Sequence, residues 1–329
     1  MVYRQLGRTG MYTSLLSFGS HTDLAYRVGT QFGSVLNEEG QKRRDRHLVH
    51  GLDIGINTLD VYEHEGQWEP VARLMQGRRD KVILSLSPGA REYIGNIVDR
   101  AARLFGHVDL MRLYVNDFQR FDGELLHDWD ALRKSKEAGK VRAIGISSHN
   151  EHSLLAALRE LDGLDYVLFP YNFIHARADF MEFIPAAQAK GVALIAMKPL
   201  AMGSITGLDP RTSCGPKPES EKVVMYGSSK MVMLPGAVAE LTRTLGRLPD
   251  ETLCQAAMRF VFSRPFLSSV FNGMWDDRWI DDNHAALQRY SLFGKAEKAA
   301  LDAAAKVAGL VGPSWLSEEY RWLEQRWRA

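Results

Sequence analysis

Eight short apolar segments alternate with longer stretches of helical periodicity, and this alternation constrains the fold more than any other feature of the chain. It is typical of βα units around a parallel sheet. The predicted strands cover residues 15–20, 56–60, 81–87, 109–115, 141–148, 165–172, 192–200 and 268–274. Between them, residues 123–140 illustrate a helix: Leu125, Trp129 and Leu132 recur at helical spacing, and Gly139 predicts the stop.

Two α/β folds accommodate such an alternation. A doubly wound open sheet requires a glycine-rich turn directly after its first strand, and nothing after LLSFGS (15–20) fits that pattern. Eight βα units in one domain instead predict a (β/α)8 TIM barrel. We expect a single domain over residues 1–329, with a hairpin plug at 1–14, a long loop over the barrel mouth at 208–235, and a C-terminal helix and tail at 295–329.

Composition excludes several classes of function. The net charge of +1 gives no electrostatic basis for nucleic-acid binding. No apolar run has the roughly 20 residues that a membrane span needs. Two cysteines are too few for an iron–sulfur cluster or a disulfide framework. We therefore expect a cytoplasmic protein whose partner is a small molecule.

Several strings along the chain resemble the aldo/keto reductase family. YRQLGRTGMYTSLLSFG (3–19) resembles its hairpin and first strand, GINTLD (55–60) its second strand, and KVRAIGISSHN (140–150) its fifth. VLFPYNFI (167–174) and GVALIAMKPLAMGSITG (191–207) are similar to the sixth and seventh strands. The closing EYRWLEQRW is most similar to a bacterial branch that often carries a ferredoxin-like extension, which two cysteines could not support. The resemblance implies a barrel that binds NAD(P) without a Rossmann fold and reduces carbonyls by hydride transfer.

The same resemblance implies a tyrosine as general acid, assisted by a lysine and a histidine and oriented by an aspartate. Asp60 ends GINTLD as the family pattern requires. The tyrosine position holds Glu65, the lysine position holds Ser87 and the histidine position holds Asp117, so three of the four expected side chains are altered. Tyr62 is an alternative acid that lies off the expected register, as does its neighbour His64.

The altered positions change the charge of the expected site. Carboxylates grouped at one barrel mouth repel the negative charge that develops on a carbonyl oxygen during reduction. Crowded carboxylates also raise one another's pKa, so one of them could stay protonated and act as the acid. Further polar residues, His21 and His149 among them, follow predicted strands, and C-terminal strand ends are where barrels carry function. We therefore expect a hydroxyl-rich, sugar-like substrate and count His149 among the catalytic candidates. A divalent metal is not excluded, but no ligand-spacing motif assigns one.

The resemblance assigns six residues to the cofactor: Ser147, Ser148, Leu200, Gly203, Gly273 and Asn283. The first two would hold the nicotinamide carboxamide. The next two belong to the PLAMGSITG turn (199–207), whose backbone amides would cradle the pyrophosphate. The last two lie on the adenosine side.

The expected 2′-phosphate site carries Asp276 and Asp277 with only Arg278 as a cation. Two acids disfavour a phosphate, which favours NAD over NADP.

Three functions remain open from the sequence. The first is a divergent NAD(P)-dependent oxidoreductase that acts on a sugar-like or polyol carbonyl. The second is a non-redox lyase, epimerase or isomerase that uses Asp60, Glu65 and Asp117 as acid and base. The third is a catalytically silent barrel.

Overall fold

The structure, a computed structural model, describes residues 1–30, 33–89, 92–115, 121, 123–172, 175–201, 223–226, 229–232 and 250–290. Asp117, Gly203, most of the predicted loop 208–235 and the predicted C-terminal helix and tail at 295–329 lie outside the described residues.

Eight parallel strands close into a barrel, which confirms the predicted fold. In chain order they are β3 (Leu16–Phe18), β6 (Thr58–Tyr62), β7 (Ile83–Ser87), β8 (Val108–Tyr114), β9 (Val141–Ser147), β10 (Tyr166–Pro170), β11 (Ala193–Met197) and β14 (Leu267–Asn272). Each strand pairs with its sequence neighbour, and β14 returns to β3. Every predicted strand is present, although β6 continues to Tyr62, two residues beyond its predicted end.

Helices cover the outside of the barrel. They are α1 (Glu38–Asp53), α2 (Trp68–Leu74), α3 (Ile94–Phe105), α4 (Gly123–Glu137), α5 (Glu151–Glu160), α6 (Phe183–Ala189), α7 (Leu253–Phe262) and α8 (Asp277–Gln288). Side-chain caps begin several of them: the Asn37 side chain accepts a hydrogen bond from Gly40 N at 2.8 Å, and Thr252 with Gln255 forms a capping box. The stop predicted at Gly139 follows the end of α4, and its φ of +72° suits glycine.

Two apolar cores hold the barrel. The larger core lies between the strands and the helices, and the smaller one fills the lower barrel interior. The N-terminal hairpin, β1 (Tyr3–Gln5) with β2 (Tyr12–Ser14), closes the bottom by inserting Leu6 and Met11 among the inward side chains. At its turn, a Cβ on Gly7 would lie 2.5 Å from the carbonyl oxygen of Gly191, so only glycine fits there.

Two short hairpins interrupt the βα pattern. The pair β4 (Arg27–Val28) and β5 (Val35–Leu36) lies in the loop between β3 and α1. A second pair, β12 (Val223–Tyr226) and β13 (Ser229–Val232), lies within the segment that the sequence predicts as an irregular loop. The apolar, β-prone string VVMY at 223–226 is consistent with strand pairing there. Across the described residues, no helix has the length and apolar character to cross a membrane.

Candidate active site

Asp60 lies inside the barrel and is fully engaged. Side chains alternate along β6, so Leu59 and Val61 pack outward in the larger core while Asp60 faces the interior. Its carboxylate is 3% exposed and accepts hydrogen bonds from the hydroxyls of Ser20 and Ser85, the latter at 2.6 Å. The guanidinium of Arg112 completes the set, with Nη2 2.9 Å from Asp60 Oδ2 in a two-pronged ion pair.

Arg112 is a candidate site residue that the sequence analysis did not include. It comes from the middle of β8 and is 1% exposed. Burial alone would lower the pKa of Arg112, but the nearby Asp60 carboxylate raises it above its usual value, so the guanidinium stays charged. The resemblance implied a lysine at Ser87, which is instead a buried serine at the end of β7. The signal available in the sequence was an arginine in the middle of the otherwise mostly apolar strand DLMRLYV (109–115).

Glu65 is bound to the β4–β5 hairpin and its preceding loop. It is 1% exposed, and Arg27 donates to its Oε1 at 2.7 Å. Thr22 donates to Oε2 through its backbone N–H at 3.1 Å and its hydroxyl at 2.9 Å, and His21 Nδ1 lies 3.4 Å from Oε1. Above this contact, the hairpin side chain Val35 covers Gly66, where a Cβ would lie only 2.5 Å away.

These contacts favour the ionised form of Glu65, so Glu65 is not well suited to be the carboxyl that crowding could keep protonated. Burial would raise the pKa of Glu65, but hydrogen bonding and charge from His21, the Arg27 charge and the Thr22 hydrogen bond together lower it below its usual value. The carboxylate is therefore ionised and acts as an acceptor. Arg27 on the hairpin and Thr22 in the loop before it supply a cation and hydrogen-bond donors, and the sequence around Glu65 does not indicate these contacts.

Tyr62 faces the barrel mouth from the top of β6. Two residues above Asp60 on the same strand, it points to the same side and lies beside Ser87 in register. Its ring stacks on His64 with centroids 4.8 Å apart and meets His21 edge-on at 5.1 Å. Burial, followed by the influence of Asp60, raises the pKa of Tyr62 despite the opposing charge of Arg112, so its hydroxyl stays protonated.

His149 and Lys198 extend the polar surface on the far side of the mouth. His149 follows β9, and its Nδ1 lies 3.2 Å from the Tyr114 hydroxyl. Burial, and then the charges of Lys198 and His175, lower the pKa of His149 to about 3, so its ring is neutral near pH 7. Lys198 follows β11 with a φ of +56°, and burial lowers its pKa to about 8. Non-glycine residues rarely adopt this strained backbone, which clusters at functional sites.

The site thus combines parts from several strand ends. The Asp60–Arg112 pair forms its floor, Tyr62 supplies a hydroxyl, and His149 with Lys198 supplies a neutral imidazole and a cation. In the described part of the chain, no group of three His, Cys, Asp or Glu side chains is arranged to hold a metal ion.

The described cofactor residues fit a dinucleotide. Ser147 and Ser148 are buried at the end of β9, and Leu200 is 8% exposed after β11. At Gly273 a Cβ would lie 2.9 Å from the Trp275 ring, so glycine allows that ring to pack against the backbone after β14. Asn283 is 2% exposed and donates to the carbonyl of Trp279 at 2.7 Å, while its Oδ1 has no hydrogen-bond partner among the described residues. A buried acceptor without a donor is expected where a ligand amine completes the site.

Arg278, the cation expected near a 2′-phosphate, is already paired. Its Nε and Nη2 lie 2.9 and 3.0 Å from the two carboxylate oxygens of Asp276. Asp276 also caps the N-terminus of α8. Asp277 lies 3.6 Å from His47 Nε2.

The sequence matches the model of the Aldo/keto reductase family over residues 28–306. Because the match spans most of the chain, the protein belongs to the aldo/keto reductase family. It is an enzyme of the NAD(P)-dependent oxidoreductase type that acts on a small molecule.

Individual relatives are distant but cover almost the whole chain. L-galactose dehydrogenase of Arabidopsis thaliana is 22% identical over 95% of this chain and 97% of its own. L-glyceraldehyde 3-phosphate reductase of Escherichia coli is 23% identical over 92% of both. The holo form of an aldo-keto reductase from Bacillus halodurans superposes with a TM-score of 0.72 at 22% identity, covering 98% of this chain and 99% of its own. At this identity the structural likeness supports the fold alone.

Proposed function

We propose that this enzyme interconverts a carbonyl and a hydroxyl group on a sugar-like or polyol substrate, with NAD as the cofactor, in the cytoplasm. The observation that carries this proposal is Tyr62: a protonated tyrosine at the barrel mouth, directly above an aspartate–cation pair. It offers the phenol that the altered position 65 lacks.

Tyr62 is the proton donor in the direction of reduction. A nicotinamide bound at the mouth would supply the hydride to the carbonyl carbon. The Tyr62 hydroxyl would then give its proton to the carbonyl oxygen, on which negative charge develops. Burial raises the pKa of Tyr62, and the charge of Arg112 opposes that effect, so Arg112 favours the phenolate form that remains after Tyr62 has donated its proton. Asp60 holds the Arg112 guanidinium in place and is a positioning residue rather than the acid.

The remaining candidates take supporting roles. His149 and Lys198 line the mouth opposite Tyr62, where a neutral imidazole and an ammonium group can accept from and donate to substrate hydroxyls. We keep Asp117 in the proposal because it follows β8 by three residues in the sequence. Ser87 pairs with Tyr62 in register and is shorter than the lysine of the family pattern. Glu65 fixes the wall of the mouth.

At the cofactor end, the proposal assigns the carboxamide to Ser147 and Ser148, the pyrophosphate to the turn of Leu200 and Gly203, and the adenosine to Gly273 and Asn283. The preference for NAD follows from Arg278. Its charge is already matched by Asp276, so a 2′-phosphate would have to break that pair and approach a second acid.

The hydroxyl-rich substrate follows from the polar mouth and agrees in kind with the named substrates of the two relatives, L-galactose and glyceraldehyde 3-phosphate. A carboxylate-based lyase, epimerase or isomerase is less well supported, because Asp60 and Glu65 are each ion-paired and neither is poised to exchange a proton.

The test is a spectrophotometric survey at 340 nm, with NADH and NADPH against aldoses, ketoses and their phosphates, and the oxidised cofactors against the matching polyols and aldoses. We expect hydride transfer with hydroxyl-bearing substrates and higher kcat/KM with NADH. Turnover of simple alkyl and aryl aldehydes alone would refute the substrate class. Stronger activity with NADPH would refute the cofactor preference.

A further inference from the structure

Tyr166, the first residue of β10, places a second phenol inside the barrel. It is 0% exposed and packs among the inward side chains of the smaller core. Its partner in register is Gly145 of β9, and Gly145 in turn pairs with Arg112 of β8. The three residues therefore form one row across three neighbouring strands, with the glycine in the middle.

The glycine allows the phenol to lie across β9. A Cβ at Gly145 would lie 2.5 Å from two ring atoms of Tyr166, Cε1 and Cζ, and Cζ is the carbon that carries the hydroxyl. The hydroxyl end of the ring is therefore the part that covers the Gly145 backbone, between β10 and β8. The pKa of Tyr166 reflects the same proximity, because burial raises it and the charge of Arg112 is the largest effect that opposes the rise.

Arg112 and Tyr166 each have one buried polar atom left over. The two Nη atoms of Arg112 donate to Asp60 and Ser85, with Nη1 2.9 Å from Ser85 Oγ. Among the described residues, neither Arg112 Nε nor the Tyr166 hydroxyl has a hydrogen-bond partner. A buried donor without a partner is costly, and more so on a charged group. The two groups are complementary, since Nε–H donates and a phenol oxygen accepts.

We infer that Tyr166 is a positioning residue for the reduction: its phenol oxygen accepts a hydrogen bond from Arg112 Nε–H and so fixes the guanidinium below Tyr62. A small movement of the phenol over Gly145 completes this bond. Asp60 then holds one edge of the guanidinium plane and Tyr166 holds the other. The catalytic part of this role rests on the proposed function, because it acts through the effect of Arg112 on the Tyr62 phenolate. The contact itself does not depend on that function.

A spectroscopic measurement on the full chain tests the contact without turnover. In proton–nitrogen correlation spectra of protein with isotope-labelled arginine, the Nε–H signal of Arg112 is assigned by its loss in Arg112→Lys. In Tyr166→Phe this signal should shift and its proton should exchange faster with water. The matched control is Tyr171→Phe, because Tyr171 is a buried phenol in the larger core whose hydroxyl donates to Asp179 at 2.9 Å. An unchanged Arg112 signal in Tyr166→Phe would overturn the inference.

Kinetics separate positioning from a general loss of stability. At a temperature where all variants are folded, Tyr166→Phe should lower kcat by about tenfold and leave KM and the dissociation constant of NADH unchanged. Tyr171→Phe should keep the wild-type kcat. Gly145→Ala retains the phenol but displaces its ring, so it should lower kcat to a similar extent.

Two kinetic results would overturn the positioning role: wild-type kcat in Tyr166→Phe, or an equal loss of kcat in Tyr171→Phe. If Gly145→Ala does not fold, Tyr166→Phe alone decides. A shifted Arg112 signal in Tyr166→Phe together with wild-type kcat in Tyr62→Phe would show that the contact exists and that the proposed function has failed, so the two failures are distinguishable.

Discussion

Replacing Glu65 by glutamine separates an anchoring role from a catalytic one. The side chain is 1% exposed, Arg27 is 9% exposed in its side chain, and their atoms lie 2.7 Å apart. Glutamine keeps the shape of the side chain but removes its charge. One acceptor oxygen is replaced by an NH2 donor, which then faces the donor groups of either Arg27 or Thr22. A hydrogen bond to a charged group contributes about 1.5–3 kcal/mol, and breaking a buried pair costs about 3–5 kcal/mol. We therefore expect Glu65→Gln to lower the free energy of unfolding by about 3 kcal/mol.

The assay is urea denaturation, read at an unchanged m-value, together with kcat at a temperature where both proteins are folded. Glu69→Gln is the matched control, since it makes the same chemical change on an exposed residue of α2 and should stay within about 0.5 kcal/mol. We expect kcat of Glu65→Gln to fall less than about tenfold. A loss of about 10²–10⁴ in kcat, as for a general acid, with unchanged stability would refute the anchoring role.

The pH dependence of stability carries the same information. Because the pKa of Glu65 is lowered in the folded state, its contribution is present above its unfolded pKa and is lost as pH falls through the folded value. Stability of the wild type should therefore decline in acid more steeply than that of Glu65→Gln. Identical acid profiles would contradict the ion pair.

Three further predictions concern the floor and the far wall of the site. Arg112→Met should lower the free energy of unfolding, measured by urea denaturation, by about 3–5 kcal/mol, because it leaves the buried Asp60 carboxylate without its cation. Adding Asp60→Leu should restore part of that loss. A double variant no more stable than Arg112→Met would count against this. Lys198 has a folded pKa of about 8 against 10.5 unfolded, so folding resists its protonation and stability should rise as pH increases from 8 to 10.5, by up to about 3 kcal/mol. Lys198→Met should remove that rise, and an unchanged profile would contradict the burial argument. His149 has a folded pKa of about 3 against 6.5, so stability should fall as pH drops through this interval. His149→Asn should lessen that fall, which the midpoint of urea unfolding across pH measures.

The fold could be predicted from the sequence because it depends on periodicity. Each of the eight apolar segments forms a barrel strand, and the predicted N-terminal hairpin is present, with Leu6 and Met11 packed in the smaller core. A parallel strand that is buried on both faces has a continuous apolar sequence, so barrel strands can be recognised from the local sequence alone. The two short strands at 223–226 and 229–232 were harder to predict, because their apolar residues lie within a region rich in glycine, proline and serine.

The site could be predicted only in outline, because it depends on contacts between distant segments. The family pattern located Asp60, but its cation comes from Arg112, 52 residues later in the chain. Tyr62 lies off the register that the family pattern expects, but β6 runs to residue 62 and its alternation turns Tyr62 to the same side as Asp60. The contact between Arg27 and Glu65 joins the β4–β5 hairpin to the loop after β6. The periodicity of the sequence does not indicate that these two segments meet.

Tyr62 carries the central claim, so the most direct measurement is kcat and the dissociation constant of NADH for Tyr62→Phe with the best substrate of the survey. Tyr12→Phe, at an exposed tyrosine in the N-terminal hairpin, controls for the loss of a phenol elsewhere. We predict a fall in kcat of about 10²–10⁴, NADH binding within a few-fold of the wild type, and no change in Tyr12→Phe. Wild-type kcat in Tyr62→Phe would contradict the account.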